Sequence, residues 1–160
     1  MKKYFTLAVL LCIALISGSQ VVNSKHKGLK YKTVECSELN QKLQGKIKPI
    51  VVFCGDLRDE KDKYTYGFKK IPGSLVIGSV NQDKWEENLR AALLLAELDK
   101  SFKSEVVVYC GCCSSDNCPN VEPVILELKR MGFKNVKGLY FSEGYLPEWH
   151  AKKYLEEPLK

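Results

Sequence analysis

Two long apolar runs constrain the fold of this chain more than any other feature of its sequence. The segments IKPIVVFCG (47–55) and EVVVYC (105–110) are rich in β-branched residues and apolar over most of their length. Runs of this kind predict strands that are buried on both faces. Such strands occur mainly in parallel sheets that are covered by helices on both sides.

Helical periodicity occurs between these two strands and again after the second one. Two segments, 84–98 and the residues after 120, carry apolar side chains at the i, i+3, i+4, i+7 spacing of one helical face. These side chains are Leu89, Ala92, Leu93 and Ala96 in the first segment and Val121, Val124, Ile125 and Leu128 in the second. We expect the second helix to begin at about Asn120, with the Asn120 side chain as its N-cap.

Shorter elements complete the alternation. Short strands are predicted over 31–36 and 135–140, and a turn followed by a short strand is predicted over 71–79. We also expect a short helix capped by Ser37, a terminal helix over 147–155 and a loop over the charged segment 56–70. Strands that alternate with helices indicate an α/β fold with a mainly parallel sheet and helices on both faces.

The first residues predict export. Residues 1–19 contain two lysines, then an apolar run, then small residues, which is the pattern of a secretory signal peptide. We expect cleavage after Ser19, with cleavage after Ser24 as an alternative. A flexible lead-in over 20–30 and one domain over 31–158 would follow. The mature protein would be periplasmic or secreted, without stable membrane insertion after cleavage.

The charge of the chain excludes one class of partner. The whole chain has 25 lysines and arginines against 19 acidic residues, and two of the lysines lie in the predicted signal peptide. The mature chain is therefore only mildly basic, and its lysines are scattered. Nucleic-acid interfaces need clustered basic residues, so no nucleic-acid partner is expected.

Four cysteines crowd into the short segment VVVYCGCCSSDNCPN (106–120), directly after the second apolar run. They are Cys110, Cys112, Cys113 and Cys118. Two more cysteines, Cys36 and Cys54, follow other predicted strands. Disulfides are the default expectation for an exported chain. A framework that only stabilises a fold spreads its cysteines along the chain, so the crowding indicates chemistry.

Cys110 lies where a reactive thiol is easiest to build. In an open parallel sheet, ligands bind beyond the carboxyl ends of the strands, and Cys110 ends a predicted strand. The backbone N–H groups of the following loop and of the next helix's first turn have no internal partners, so they favour negative charge. This environment lowers a thiol pKa from its free value of roughly 8.5. We therefore expect Cys110 to be a nucleophile, and the alternative is an ordinary buried cysteine.

The order of the motifs resembles a single rhodanese-like (sulfurtransferase) domain over nearly all of the mature chain. FCGDLRDEKDKYTYGFKKIPGSLVI is similar to the family's Asp-x-Arg segment and its later Gly-His-Ile-Pro-Gly turn. VVVYCG resembles the family's active-site strand and cysteine. MGFKNVKGLYFSEGYLPEW resembles the end of the family's domain, where a Gly-Phe pair is followed by a strand, a glycine-containing turn and a tryptophan. The Cys-Gly-Cys-Cys-x4-Cys-Pro-Asn loop resembles that of one subgroup of the family.

The resemblance implies a persulfide mechanism at Cys110, without a cofactor. A small sulfane-sulfur donor would load sulfur onto Cys110, and a thiol acceptor would remove it. The loop would supply backbone and hydroxyl donors, from Gly111, Cys112, Cys113, Ser114 and Ser115. Asp56 and Arg58 match the family's structural pair, with Arg58 as a possible anion contact.

The chain departs from the family's pattern in its charges. No lysine or arginine occurs between Cys110 and Val121, although family loops often end in a cation that holds an anionic donor. The family's histidine before Ile-Pro-Gly is also absent. Lys69 and Lys70 could supply the charge, with a solvated surface pair as the alternative. These departures argue against thiosulfate as the donor.

The other cysteines leave several alternatives open. Cys112, Cys113, Cys118 or Cys54 could resolve an oxidised or persulfidated Cys110. Cys113 and Cys118 could instead form a structural disulfide. A thiol-redox or soft-metal module on the same fold is the second hypothesis, since thiolates suit zinc and Cu(I), but the spacing is uncommon for zinc and no metal is assigned. A thiol-reducing protein partner would keep the cysteines reduced.

Overall fold

The computed structural model describes residues 26, 28–55, 69–96 and 102–158. The predicted signal peptide, Asp56 and Arg58 lie outside these residues. Within them, no helix combines the length and the apolar character that a membrane span needs.

Strands and helices alternate along the described chain. The elements are β1 (Thr33–Glu35), α1 (Cys36–Leu43), β2 (Ile50–Phe53), β3 (Lys69–Lys70), β4 (Leu75–Val76), α2 (Trp85–Leu95), β5 (Glu105–Tyr109), α3 (Val121–Arg130), β6 (Asn135–Tyr140) and β7 (Glu157–Pro158). Five of the strands form one sheet in the order β1-β6-β5-β2-β4, and every pairing in it is parallel. The predicted α/β fold with a parallel sheet is confirmed.

The sheet separates two apolar cores. One core contains side chains of α2 and α3 together with alternate residues of the central strands, such as Val52 and Val108. The other contains α1, Trp149 and the intervening strand residues, such as Val51 and Val107. Because successive strand residues point to opposite faces, each central strand contributes to both cores. This double burial explains why β2 and β5 read as continuous apolar runs.

The first and last helices differ from prediction. Helix α1 begins at Cys36, directly after β1, and has no side-chain cap. Ser37 therefore lies inside the first turn, and the prediction that it caps the helix is wrong. The predicted terminal helix over 147–155 is a five-residue π-helical turn, Leu146–His150. Trp149 in this turn is fully buried, and its indole N–H donates to the carbonyl of Leu155 at 2.9 Å.

A second, two-stranded sheet was not predicted. The last two residues of the predicted loop, Lys69–Lys70, form β3 and pair antiparallel with β7. The ammonium of Lys70 bonds the carboxylate of Glu157 and the carbonyl of Ser74. These contacts attach the end of the chain to the edge of the domain.

Candidate functional site

The cysteine-rich segment leaves the sheet at the carboxyl end of its middle strand. β5 lies between β6 and β2, so the ends of three parallel strands meet at this edge. Cys110 follows β5 directly and is only 1% exposed. Cys112, Cys113 and Cys118 are half-buried. The structure thus places the predicted nucleophile where open α/β sheets bind their ligands.

Ser115 fastens the loop to the end of β6. Its backbone N–H donates to the carbonyl of Phe141 at 2.8 Å, and its hydroxyl donates to the carbonyl of Leu139 at 3.1 Å. The same hydroxyl oxygen accepts from the N–H of Phe141 at 2.8 Å. The Ser115 hydroxyl was predicted to donate to a bound anion. Its proton is instead used in the hydrogen bond that attaches the loop to β6. The hydroxyl of Ser114 accepts a hydrogen bond from Asn117 at 2.9 Å.

Glycines allow the backbone to pass close to the site. Gly111 follows Cys110 with φ of +86°, and its carbonyl accepts from the N–H of Tyr145 at 3.1 Å. Gly144 has φ of +135°, and a Cβ on it would lie 3.2 Å from the Gly111 oxygen. A Cβ on Gly55 would come within 2.8 Å of the Cys110 carbonyl. A side chain at Gly55 or Gly144 would therefore crowd the backbone of the loop at Cys110 or Gly111.

Three sulfurs form a compact group, the trithiol group of Cys110, Cys112 and Cys118. The sulfurs of Cys110 and Cys112 are 3.1 Å apart, and all three lie within 4.8 Å of one another. The sulfur of Cys113 lies 3.3 Å from that of Cys112. All six cysteines of the described residues are free thiols, so the alternative disulfide between Cys113 and Cys118 is not formed here.

The side chain of Asn120 hydrogen-bonds the Cys110 sulfur and does not cap helix α3. Its side-chain amide donates to the sulfur of Cys110 at 3.4 Å, and its carbonyl oxygen accepts from the hydroxyl of Ser79 at 3.1 Å. Helix α3 begins at the next residue without a side-chain cap, so the prediction that Asn120 caps it is wrong. The role of Ser79 was missed by sequence reasoning. The sequence offered one indication of this role: Ser79 lies just beyond β4, so it is at the same edge of the sheet as Cys110.

The hydrogen bonds to Cys110 set its charge. Its pKa is lowered by hydrogen bonds from the thiols of Cys112 and then Cys118, against the opposing effect of burial. The Asn120 amide and the N–H of Cys112 lower it further. The pKa values of Cys112 and Cys118 are raised, because each donates its proton to the Cys110 sulfur. These opposite directions favour ionisation of Cys110 over ionisation of its two neighbours.

The cause of this charge differs from the prediction. Backbone N–H groups and the helix dipole were expected to stabilise the thiolate. The two neighbouring thiols are the larger causes, and the N–H of Cys112 is a smaller one. The companion cysteines thus belong to the electrostatics of Cys110.

Two buried groups adjoin the trithiol group. Cys54 follows β2, as Cys110 follows β5, and its thiol donates to the carbonyl of Tyr109 at 3.4 Å. Cys54 packs in the same core as Cys110 and Cys112. Burial raises the Cys54 pKa, and the neighbouring Cys110 and Cys112 raise it further. The hydroxyl of Tyr31 is buried and has no hydrogen-bond partner among the described residues. Its pKa is raised by burial and then by Cys118 and Cys54.

The remaining candidates lie elsewhere. Lys69 contacts Glu156 at 3.3 Å, and Lys70 bonds Glu157, so both lysines are engaged by the end of the chain. The thiol of Cys36 is buried and donates to the carbonyl of Tyr140 at 3.4 Å, outside the cysteine-rich segment.

Comparison with known proteins adds one structural neighbour. The sequence matches no protein-family model and no curated protein. Its fold is similar to that of the Alr3790 protein from Anabaena sp., with a TM-score of 0.50 and 16% sequence identity. The alignment covers 79% of this chain and 92% of Alr3790. At this identity the likeness is one of fold alone.

Proposed function

We propose that this protein is a rhodanese-like sulfurtransferase that carries sulfane sulfur as a persulfide on Cys110. One observation carries the proposal: the Cys110 sulfur, at the carboxyl end of β5, accepts a hydrogen bond from the Asn120 amide and lies 3.1 Å from the Cys112 sulfur. A thiolate held in this way is an activated nucleophile. The order of the sequence motifs supports the same chemistry.

The first half-reaction loads the cysteine. The Cys110 thiolate attacks the outer sulfur of a donor R–S–S⁻ and forms a new S–S bond. The S–S bond of the donor breaks, and R–S⁻ leaves with the bonding electron pair. The Cys112 thiol and the Asn120 amide, which hold the thiolate beforehand, lie beside the persulfide that forms. They stabilise its negative charge as the donors of an oxyanion hole do.

The second half-reaction returns the sulfur. An acceptor thiolate attacks the outer sulfur of the persulfide, the S–S bond breaks, and Cys110 leaves as the thiolate that the site stabilises. No external oxidant or reductant is consumed, because the sulfane sulfur moves between thiolates without net redox change. Two successive half-reactions on one enzyme give ping-pong kinetics.

Charge and shape select the donor class. Residues 111–120 contain no lysine or arginine, and Lys69 and Lys70 are engaged by glutamates. A doubly charged anion such as thiosulfate gains little from this environment. Cys110 is also 1% exposed, which favours a narrow donor. The proposed donor is therefore a persulfide or polysulfide, whose terminal sulfur chain is slim and less highly charged.

A thiol-redox role is the second candidate, favoured by the 3.1 Å separation of the Cys110 and Cys112 sulfurs. An external thiol oxidant would take two electrons and two protons from them and join them in a disulfide, so the protein would lose two hydrogen atoms, whereas sulfur loading adds one sulfur atom. The mass of the protein thus separates the two roles.

Export remains part of the proposal through the pattern of residues 1–19 alone. A thiolate at Cys110 must stay reduced in order to turn over. An exported form would therefore need a thiol-reducing partner in its compartment.

Transfer kinetics test the proposal. Turnover from a low-molecular-weight persulfide to a thiol acceptor should be ping-pong, should be slower with thiosulfate as donor, and should be abolished by Cys110→Ser. Cys36→Ser, which changes a buried thiol outside the loop, should keep the wild-type rate. Equal turnover by the Cys110→Ser variant would contradict the proposal.

A further inference from the structure

The trithiol group has the dimensions of a metal site. Sulfurs about 2.3 Å from a tetrahedral ion lie about 3.8 Å apart. The sulfurs of Cys110, Cys112 and Cys118 lie within 4.8 Å of one another, and the shortest separation is 3.1 Å. Small side-chain rotations would therefore place all three at bonding distance from one ion.

The donor set selects the ion. Among the described residues, the group contains three sulfurs and no histidine or carboxylate ligand. Structural zinc sites almost always use four protein ligands. Soft thiolates select Cu(I), a monovalent ion that accepts two or three sulfurs. A three-sulfur group thus suits Cu(I) better than zinc.

The surroundings also suit a bound soft ion. Cys110 is buried, whereas Cys112 and Cys118 are half-buried, so the group has a protected inner side and an accessible outer side. Cys112 and Cys118 also contact the apolar core beneath α2 and α3. The buried Tyr31 hydroxyl, without a partner among the described residues, is a hydrogen-bond donor within electrostatic reach of Cys118.

We propose that Cys110, Cys112 and Cys118 form a binding site for one Cu(I) ion. Binding forms three Cu–S bonds and displaces the protons of Cys112 and Cys118 to solvent, while Cys110 binds as the thiolate. Copper and sulfur keep their oxidation states, so no oxidant or reductant is needed. The proposal does not require that the protein transfers sulfur.

Cu(I) and persulfide sulfur would exclude each other. Both use the Cys110 sulfur, and an ion bonded to it removes the lone pair that attacks a donor. Protein loaded with Cu(I) should therefore gain no sulfur from a persulfide until a chelator removes the ion. Sulfur loading that is unaffected by bound Cu(I) would show that Cys110 is not a ligand.

A competition titration tests the site. Reduced protein is mixed, without oxygen, with Cu(I) bound to a chromogenic chelator of known affinity. We expect the wild type to withdraw one Cu(I) per chain and to develop the ultraviolet absorption of Cu(I)–thiolate bonds. Loss of an outer-shell partner lowers metal affinity by about 10–100-fold. Cys112→Ser and Cys118→Ser each remove a ligand, so each should lower the Cu(I) affinity by more than this.

A matched variant and a second metal show whether binding is specific to the three sulfurs and to Cu(I). Cys113→Ser changes a half-buried thiol that contacts the Cys112 sulfur but lies outside the trithiol group, so it should lower the affinity by no more than about 10–100-fold. Circular dichroism checks that each variant is folded. Failure of the wild type to withdraw Cu(I) would overturn the proposal. So would an equal loss in Cys113→Ser, or tighter binding of Zn(II) than of Cu(I).

Because the titration contains no sulfur donor, its failure leaves the sulfurtransferase proposal untouched. Failure of the transfer kinetics likewise leaves the Cu(I) site untouched.

Discussion

At the scale of single residues, Asn120 connects the chemistry of the loop to the rest of the fold. Its amide donates to the Cys110 sulfur, and its oxygen accepts from Ser79 beyond β4. The bond to Ser79 fixes the orientation of the amide, so that N–H rather than oxygen faces the sulfur. An amide held in this way favours a thiolate over a thiol, because it can donate to the sulfur but not accept from it.

Asn120→Asp should slow sulfur loading at neutral pH by about tenfold or more, since hydrogen bonds to charged groups contribute about 1.5–3 kcal/mol. The carboxylate has nearly the shape of the amide and still accepts from Ser79, but it repels the thiolate. The rate of persulfide formation measures the effect.

Asn117→Asp is the matched control, because it adds the same charge to an exposed position of the same loop. Its amide contacts Ser114 and not the cysteine. An Asn120→Asp rate equal to that of Asn117→Asp would show that the contact with Cys110 has no influence on reactivity.

At the scale of elements, the site depends on how the loop is held between strand ends. Ser115 bonds the end of β6, and the Gly111 carbonyl accepts from Tyr145 just before the π-helical turn. Gly144 lets these two segments approach each other. The position of Cys110 thus follows from contacts of neighbouring elements as well as from β5 itself.

Gly144→Ala should lower the free energy of unfolding by about 1–3 kcal/mol, the usual cost of a side chain held at an unfavourable positive φ. Gly73→Ala is the matched control, since Gly73 also has positive φ, but its Cβ would meet no atom within 4 Å. Urea denaturation compares the two. Gly144→Ala should lose more stability than Gly73→Ala, and it should also slow sulfur loading. An equal loss of stability in both variants would argue against the close contact with Gly111.

A second element-scale feature is the ion pair at the start of β5. Glu105 accepts from Lys42 of α1 at 2.8 Å and contacts Lys137 of β6 at 2.7 Å. Burial opposes its ionisation, but the hydrogen bonds from Lys137 and Lys42 outweigh this effect and lower the Glu105 pKa. Because the folded pKa lies below the unfolded value, the stabilisation is present at neutral pH. It is lost as the pH falls below about 4.3 towards the folded pKa.

Glu105→Gln should therefore lower stability at neutral pH by about 1 kcal/mol, near the upper end for partly exposed pairs. The difference between variant and wild type should shrink as the solution is acidified. Urea denaturation at several pH values measures it, with the exposed Glu143→Gln as the control for loss of one negative charge. A difference that is the same at every pH would contradict the assignment.

At the scale of the whole molecule, one buried side chain anchors the second core. Trp149 is fully buried with α1 side chains, and Tyr145 stacks near it at a centroid distance of 6.4 Å. Trp149→Ala should lower the free energy of unfolding by about 3–5 kcal/mol, as truncation of large core aromatics does. Trp85→Ala is the matched control. Trp85 is half-buried at the start of α2, so its loss should lower the free energy of unfolding by less. Equal losses in urea denaturation would show that Trp149 is not a core anchor.

The sequence predicted the parts of this fold that depend on local periodicity. β2, β5 and α3 were predicted because burial on one or two faces leaves a repeating apolar pattern. Cys110 was identified because it directly follows such a strand. The bond between Asn120 and Ser79 was missed, although Ser79 ends a predicted strand segment, because no local pattern pairs residues that are 41 positions apart in the chain.

Other features depend on tertiary contacts that leave no local pattern. The pairing of β3 with β7 joins two short, charged segments far apart in sequence, and it depends on the bond between Lys70 and Glu157. The companion cysteines were predicted to be resolving thiols or a brace. Their effect on the charge of Cys110 requires the distances among three sulfurs, which residue spacing does not give.

The most direct test of sulfur transfer at Cys110 is the intact mass of the protein after incubation with a polysulfide. The wild type should gain one sulfur atom, lose it again on addition of a thiol acceptor, and the Cys110→Ser variant should gain none. The Cys36→Ser variant, which changes a buried thiol outside the loop, should load like the wild type. A wild type that gains no sulfur from any sulfane donor, or a Cys110→Ser variant that loads equally well, would contradict sulfur transfer at Cys110.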